Sequence, residues 1–433
     1  MSDEKDKNAA TESDAEPIAL DVGENGSIRD QCETDTDEEG KFSGGNESIV
    51  KDVEQIVIPN PMCAIEYSYP LAEFIGEDTV ASVRTSDEGN DMSYDELEKV
   101  LKGTPLTSRD YWMEIELQTK IIRLTCFINE NPRLLWKDIP SEQKVKPDKD
   151  WMSLLSPTVD IVAASHRGRM HANRGTYRDD DFYIGRVDTF TLSIVADGAG
   201  SAQLSSTGSK VFCREVGNRL FELVRAKEDE LMDIINNLQS QQDEMKTDPR
   251  LSRCLYEILP VAALHGRKRL MQLADDNQVP LKFYHTTALL SITTPIADGS
   301  YFCAAFQIGD GITAALTDGQ LTLLGKGDSG SFPGETVFVT SNGIFDDGAA
   351  LLKRIHYLIS EAKPTVISMT DGITDSYFKD TPALDNPEKW RQFVDDISDE
   401  SGHLRPAVDI CDWLNYYIDQ EHDDRTISVV MYK

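Results

Sequence analysis

The sequence predicts an α+β protein in which strand ends carry a cluster of carboxylates. Four short acidic stretches stand beside apolar runs that are typical of buried strands. These stretches are Asp179-Asp180-Asp181, Asp197-Gly198, Asp371-Gly372 and Asp423-Asp424. The adjoining runs are residues 182–184, 191–196, 365–370 and 427–432. A single Asp-Gly is ordinarily a turn, but four acidic stretches at rigid strand ends can meet in one cleft. Their mutual repulsion then requires cations, and all-oxygen ligands suit Mg²⁺ or Mn²⁺.

The chain of 433 residues is long for one domain, and we divide it into three regions. Residues 1–60 contain 17 Asp or Glu against 5 Lys or Arg, a net charge of −12. Such a segment buries too little apolar surface to fold, so we expect a disordered acidic tail. The tail either docks on a basic partner or simply keeps the chain in solution.

Residues 61–150 are predicted to form a small, partly helical region and a linker. Ser93, with Glu96 three residues later, is typical of a helix start and predicts a short helix over 93–101. Ser108 can begin a longer helix that Asn131-Pro132 ends. The charged, proline-bearing residues 144–150 are predicted as the linker. The region either packs on the domain that follows it or serves as an adaptor for a substrate or partner.

Residues 151–433 alternate strands with helices, which suits a sheet-on-sheet core flanked by helices. The predicted strands are residues 159–164, 182–184, 190–196, 286–293, 301–308, 313–316 and 321–324, besides the runs at 365–370 and 427–432. The predicted helices are 209–223, its continuation over 225–245, 255–273, 351–360 and 407–417.

Charge and cysteine content exclude several classes of protein. The 43 basic and 76 acidic residues give a net charge of −33, which disfavours nucleic acid and anionic membranes as partners. The seven cysteines show no CxxC spacing, so neither a zinc site nor a disulfide framework is indicated. With no signal-peptide pattern and no apolar run of about 20 residues, we expect a cytoplasmic protein.

From about residue 160 onward, the chain resembles the metal-dependent protein phosphatases of the PP2C type, in particular their divergent bacterial branch. Six motifs occur in the family's order over about 270 residues. They are Arg167-Gly168…His171…Asp179-Asp180-Asp181-Phe182, then Val195–Ala202 (Val-Ala-Asp-Gly-Ala-Gly-Ser-Ala), His285–Leu290 (His-Thr-Thr-Ala-Leu-Leu), Ile308–Gly311 (Ile-Gly-Asp-Gly), Ser368–Gly372 (Ser-Met-Thr-Asp-Gly) and Asp423-Asp424-Arg425-Thr426. The resemblance implies a central β-sandwich with helix pairs on both outer faces.

The resemblance also implies a set of ligands for two Mn²⁺ or Mg²⁺ ions. Asp197 corresponds to the aspartate that bridges both ions, and Gly198 lends its carbonyl oxygen. Asp371 corresponds to the aspartate of the second ion. Asp179 and Asp180 occupy the family's acidic pair, and either Asp423 or Asp424 is the C-terminal ligand. Asp310 corresponds to a third, weaker metal site, or is a turn residue.

Two positions depart from the family pattern. Many members carry a histidine two residues after the bridging aspartate, where it can protonate the leaving oxygen, but this chain has Ala199. The position of the phosphate-binding arginine is Gly175, with Arg174 adjacent and Arg167 and Arg169 nearby. His171 is either a proton donor or a hydrogen-bonded structural residue, and His285 is interpreted as a core or strand-end residue.

These observations predict a PP2C-like serine/threonine protein phosphatase, a hydrolase that acts in signalling. A metal-bridged water would hydrolyse phosphoserine and phosphothreonine monoesters. Its partners would be a phosphorylated protein and a cognate Ser/Thr kinase. The alternatives are a catalytically inactive module that binds or scaffolds phosphoproteins, and a phosphatase for a small metabolite. We expect substrate choice to lie in loops such as residues 325–333, around Asp328.

Overall fold

The computed structural model describes residues 51–86, 91–142, 144–238, 248–325, 327 and 336–433. The first part of this chain is a β structure of two sheets. One sheet has the order β1-β7-β6-β3, formed by Asp52–Val57, Lys120–Ile128, Arg109–Leu117 and Val80–Thr85. The other has the order β2-β5-β4, formed by Tyr67–Pro70, Val100–Gly103 and Met92–Asp95. Two one-turn helices accompany them, α1 at Ala72–Ile75 and α2 at Pro132–Leu135.

The two helices predicted in this region are wrong, because strands take their place. Along β6 and β7 the fully buried side chains recur at every second residue, as in Met113, Ile115 and Leu117. Trp112 and Phe127 lie on the other face and are 40% and 44% exposed. Because these exposed side chains are also apolar, the sequence does not alternate strictly between apolar and polar residues. The apolar positions therefore fit a helical spacing. Residues 93–101 instead form most of the β4–β5 hairpin, whose turn includes Lys99 at φ +52°.

Strands also occur in the segments predicted as tail and linker. Strand β1 lies within the predicted tail and pairs in parallel with β7. Residues 1–50, which hold most of the predicted tail, lie outside the described residues. Strand β8, Lys149–Leu155, begins in the predicted linker and pairs with β9, Val159–His166.

The remaining strands form two sheets that pack face to face. The five-stranded sheet has the order β10-β11-β12-β13-β16, formed by Asp181–Val187, Phe190–Ala196, Ala288–Pro295, Tyr301–Ile308 and Ile355–Ser360. The six-stranded sheet has the order β15-β14-β17-β18-β9-β8, with Gln320–Leu323, Ile312–Thr317, Thr365–Met369 and Arg425–Tyr432 as its first four strands. Side chains from both sheets, including Ile161, Ile184, Cys303 and Val430, form one buried core between them.

Helices cover the outer face of each sheet, so the predicted α+β sandwich is confirmed. Helices α4, Ser205–Asn236, and α5, Pro249–Asn277, pack on the five-stranded sheet. Helices α9, Pro387–Asp396, and α10, Ala407–Trp413, pack on the six-stranded sheet. The shorter helices are α3 at Arg169–Arg174, α6 at Gly348–Leu352, α7 at Asp371–Ile373 and α8 at Thr381–Leu384, with a 3₁₀ turn at Leu281–Tyr284 and a π-helical turn at Thr374–Phe378.

The helix predicted over residues 351–360 is wrong in its second half. Strand β16 pairs there with β13, and Ile355, Tyr357 and Ile359 turn the same face toward the core. The inward-facing residues recur at every second position, as in a strand. The sequence did not show this period because the residues between them are not all polar.

Candidate active site

The predicted site residues gather where strands of both sheets begin or end. Strand β11 ends at Ala196, directly before Asp197, and β10 begins at Asp181, which pairs with Ala196. In the other sheet, β17 ends two residues before Asp371, and β18 begins directly after Asp424. Asp310 lies in the turn between β13 and β14. Regular pairing of neighbouring strands therefore fixes the backbone at every acidic motif.

Glycines allow these segments to approach one another closely. A Cβ atom on Gly198 would lie 2.7 Å from the carbonyl oxygen of Asp179. A Cβ atom on Gly372 would overlap the carbonyl oxygen of Asp424 at 1.9 Å. Both Asp-Gly motifs therefore require glycine because another strand end crosses directly over them.

Asp197, Asp310 and Asp371 form the first cluster of carboxylates. Each offers an oxygen atom, and these atoms all lie within 4.8 Å of one another. Burial raises the pKa of Asp197 well above its usual value, and the charge of Asp371 raises it further. Burial and the charge of Asp310 do the same for the pKa of Asp371. Among the described residues, no cationic side chain is a principal influence on the pKa of Asp197 or Asp371, so the carboxylates repel one another.

His171, Asp423 and Asp424 form the second cluster, again with ligand atoms within 4.8 Å of one another. Asp423 also lines a cleft with Asp197 and Asp371, so the two clusters are neighbours. The Asp424 carboxylate accepts hydrogen bonds from the backbone amides of Gly168 and Asp179. Of the two C-terminal aspartates, Asp423 is therefore the one that faces the cleft, whereas Asp424 is occupied in holding two backbone segments.

Asp179 and Asp180 lie between the clusters. The Nε2 atom of His171 is 3.6 Å from the Asp179 carboxylate, and Thr370 Oγ1 donates a 2.8 Å hydrogen bond to Asp180. Burial, followed by the charge of Asp424, raises the pKa of both aspartates to about 7. Burial lowers the pKa of His171, but the charges of Asp424 and Asp179 outweigh it and the net change is upward.

The negative charge of Asp181, the third acidic residue of its stretch, is compensated by cationic side chains inside the protein. Its carboxylate is 3.1 Å from Nζ of Lys146, which is buried, and 3.9 Å from Arg178. Burial by itself would raise the pKa of Asp181, but the two cations lower it below its usual value. Lys146 belongs to the predicted linker, and nothing in its sequence context indicated that it enters the domain.

The arginines near the first motif differ in whether their guanidinium groups are already engaged and in whether they lie near the cleft. Arg167 is buried and binds the carbonyl oxygens of Thr176 and Ile139 as well as Asp138 and Asp148. Arg169 donates a 2.7 Å hydrogen bond to the carbonyl oxygen of Asn415 and lines a small pocket with Asp423. Arg174 is exposed at the end of α3 and is not among the described residues that line the cleft. The assignment of the phosphate-binding arginine therefore stays a prediction.

The cleft beside the carboxylates has a volume of about 410 Å³. Asp197, Asp371 and Asp423 lie on its walls together with His285, which sequence analysis had placed in the core or at a strand end. Its remaining described walls are small or hydroxyl-bearing residues and one aromatic ring, namely Ala199, Gly200, Ser201, Thr336, Phe338 and Ser341. Asp328 and most of its loop lie outside the described residues.

The family model described as "Protein phosphatase 2C" matches residues 167–415, which hold five of the six motifs. The chain belongs to the protein phosphatase 2C family. No curated protein matches the chain in sequence. In the described part of the chain, no helix has the length and apolarity needed to cross a membrane.

Three solved structures illustrate what this chain is similar to. A phosphatase from Toxoplasma gondii is 12% identical, with a TM-score of 0.40, covering 66% of this chain and 95% of its own. The catalytic domain of the serine/threonine protein phosphatase PstP, solved with two manganese ions, is 16% identical, with a TM-score of 0.33, covering 64% of this chain and 98% of its own. RsbX, solved with magnesium, is 12% identical, with a TM-score of 0.33, covering 66% of this chain and 100% of its own.

Proposed function

We propose that this protein is an active metal-dependent phosphatase that hydrolyses phosphoserine and phosphothreonine monoesters in proteins. The observation that carries the proposal is the set of convergent carboxylates around one open cleft. Asp197, Asp371 and Asp423 reach it from three separate strand ends. Membership of the protein phosphatase 2C family supports the same reaction class.

The donor set of the first cluster fits Mg²⁺ or Mn²⁺. All its side-chain donors are carboxylate oxygens, which these hard cations prefer. Asp310 Oδ1 is buried and has no hydrogen-bond partner within the described residues. A buried oxygen without a partner is costly, and a cation between Asp310, Asp197 and Asp371 removes that cost together with the charge repulsion. Bound divalent cations would supply the activated water and neutralise charge on the phosphate.

The chain's own residues contribute ligands, shape and rigidity. Asp197, Asp371, Asp310 and Asp423 would hold the cations, with Gly198 offering its carbonyl oxygen. Asp180 is fixed by Thr370, and Asp424 by the amides of Gly168 and Asp179. These hydrogen bonds hold the segments beside the ligands in place before substrate arrives, which lowers the cost of organising the site during the reaction.

The direct test is phosphate release from a phosphothreonine peptide and from p-nitrophenyl phosphate, with Mn²⁺ and after exhaustive chelation. We expect turnover of both compounds only with the cation. Asp371→Asn is the matched inactive variant, since it keeps the shape of the side chain but removes one ligand charge. Peptide binding without turnover would favour the inactive phosphoprotein-binding module. Turnover confined to small phosphate esters would favour the metabolite phosphatase.

A further inference from the structure

His285 occupies a defined position in the cleft. The residue follows the 3₁₀ turn Leu281–Tyr284, and its carbonyl oxygen accepts a 3.1 Å hydrogen bond from the amide of Ala199. Ala199 is two residues beyond Asp197, so this bond joins His285 to the loop that carries the predicted bridging ligand. The imidazole and the carboxylates of Asp197 and Asp371 line the same cleft.

Two contacts hold the imidazole ring in one orientation. Nδ1 lies 2.5 Å from Oγ1 of Thr340, a buried residue. The ring stacks on Phe338 with centroids 4.8 Å apart and planes 13° from parallel. Because Nδ1 is engaged, Nε2 is the ring nitrogen left to contact a substrate in the cleft.

The described residues that line the cleft offer few proton donors. The carboxylates would be ligands for cations and would carry no proton. The hydroxyls of Ser201, Thr336 and Ser341 are too weakly acidic to transfer a proton near neutral pH. An imidazole, by contrast, gains and loses a proton in the physiological range.

We infer that His285 donates the proton that the leaving oxygen of the phosphoester requires, a role for which the sequence offers no histidine at position 199. This inference rests on the proposed phosphatase activity. As the bond between phosphorus and the ester oxygen breaks, the proton on Nε2 moves to that oxygen and the alcohol leaves. The oxygen of water forms the new bond to phosphorus, its proton passes to solvent, and His285 is reprotonated from solvent.

Substrate binding should change the pKa of His285 through the charges around the imidazole ring. In the free protein, burial and then the positive charge of Lys282 lower the pKa of His285. The cleft carboxylates have the opposite sign but would be neutralised by cations. A phosphate dianion would add negative charge next to the ring and raise the pKa of His285. The histidine thus takes up its proton together with the substrate.

The experiment compares His285→Gln with wild type on two esters that differ in leaving group. Phenyl phosphate has a poor leaving group, whereas p-nitrophenyl phosphate leaves readily without a proton. We expect kcat on phenyl phosphate to fall about 100-fold or more, as for loss of a general acid. On p-nitrophenyl phosphate we expect a loss below about tenfold, since less protonation is needed. His265→Ala is the control, because this α5 histidine is partly exposed beside Glu215 and is not among the cleft residues.

A second measurement is independent of turnover. In NMR titrations of the Mg²⁺-loaded wild-type protein, the pKa of His285 should rise when inorganic phosphate is added, and that of His265 should stay constant. Equal losses on both esters, no loss on either, or a pKa that phosphate leaves unchanged would overturn the role of His285 alone. Absence of turnover by the wild-type protein would overturn the proposed function and this inference with it.

Discussion

Lys146 Nζ donates a 2.8 Å hydrogen bond to the carbonyl oxygen of Asp180 from a fully enclosed position. The same ammonium group also contacts Asp179 O, Ser209 Oγ and the Asp181 carboxylate. A residue 33 positions before the acidic stretch therefore binds the backbone of Asp179 and Asp180 and the carboxylate of Asp181. The segment between the N-terminal sheets and β8 is in this respect part of the catalytic domain.

Replacing Lys146 by methionine should destabilise the protein strongly. The substitution fills the space but leaves Arg178 as the only cation near Asp181 among the residues that the structure describes. Removing one partner of a buried ion pair costs about 3–5 kcal/mol. Urea denaturation measures the loss. Lys144→Met serves as control, since its pair with Glu142 is exposed on both sides and should contribute less than about 1 kcal/mol. Equal stability of the two variants would refute the supporting role of Lys146.

Asp197→Asn should have opposite effects on activity and on the stability of the cation-free protein. Loss of a ligand charge should lower kcat about a thousandfold, since cation stabilisation of the transition state is worth several kcal/mol. Without cations the variant should unfold at a higher temperature than wild type at pH 7.5, because repulsion with Asp371 and Asp180 is relieved. Kinetics with saturating Mn²⁺ and thermal melts in EDTA measure both effects. The exposed α4 residue Asp229, changed to Asn, should alter neither.

Stability of the cation-free protein should fall as pH rises from about 4 to 7. The folded pKa of Asp179 and Asp180 is about 7, above the value of 3.8 for an unperturbed aspartate. A carboxyl with a raised folded pKa binds its proton more tightly in the folded state, so folding loses stability as the proton leaves. The contribution of Asp179 is measured as the difference between wild type and Asp179→Asn in how the stability of the cation-free protein depends on pH. A wild-type curve parallel to that of the variant would contradict it.

Divalent cations should reverse this trend. Mg²⁺ or Mn²⁺ binds the deprotonated carboxylates, so the rise in Tm on adding cation should be larger at pH 7.5 than at pH 5. At a concentration 100 times the Kd, the expected stabilisation is about 2.7 kcal/mol. Scanning calorimetry with and without cation measures it, and Asp371→Asn should show a much smaller rise. A rise of equal size at both pH values would argue against carboxylate ligation.

Two deletions separate the acidic segment from the folded N-terminal region. Removing residues 1–50 should leave kcat on a small phosphate ester within about twofold, since those residues contain none of the six motifs. Removing residues 1–60 also deletes β1 and Ile58, a fully buried core residue. Loss of such a side chain costs about 2–5 kcal/mol, so the longer deletion should lower stability in urea. A large loss of small-ester activity in the shorter deletion would show that its residues belong to the catalytic structure.

The β-sandwich was predictable from sequence because several of its strands are continuous apolar runs with a distinctive Asp motif beside one end. Residues 190–196 illustrate this, since the predicted run and strand β11 coincide. The N-terminal sheets were not predictable in this way, because Trp112 and Phe127 place apolar side chains on the exposed face. Contacts between distant segments could not be predicted either, because the sequence around a residue does not indicate its distant partners. Lys146 and His285 acquire their surroundings only when the chain folds, through partners 33 to 86 residues away.

The β10–β11 hairpin has a consequence for how related chains should vary in length. Its arms pair without interruption from Asp181 with Ala196 to Val187 with Phe190, across the two-residue turn of Asp188 and Thr189. One residue added within either arm would turn the following side chains to the opposite face and separate Asp180 from Asp197. Residues added in pairs, one to each arm beside the turn, would leave both aspartates where they are. We therefore expect the spacing between these two motifs to change in steps of two among chains that retain this hairpin, so a search with a fixed gap would overlook some of them.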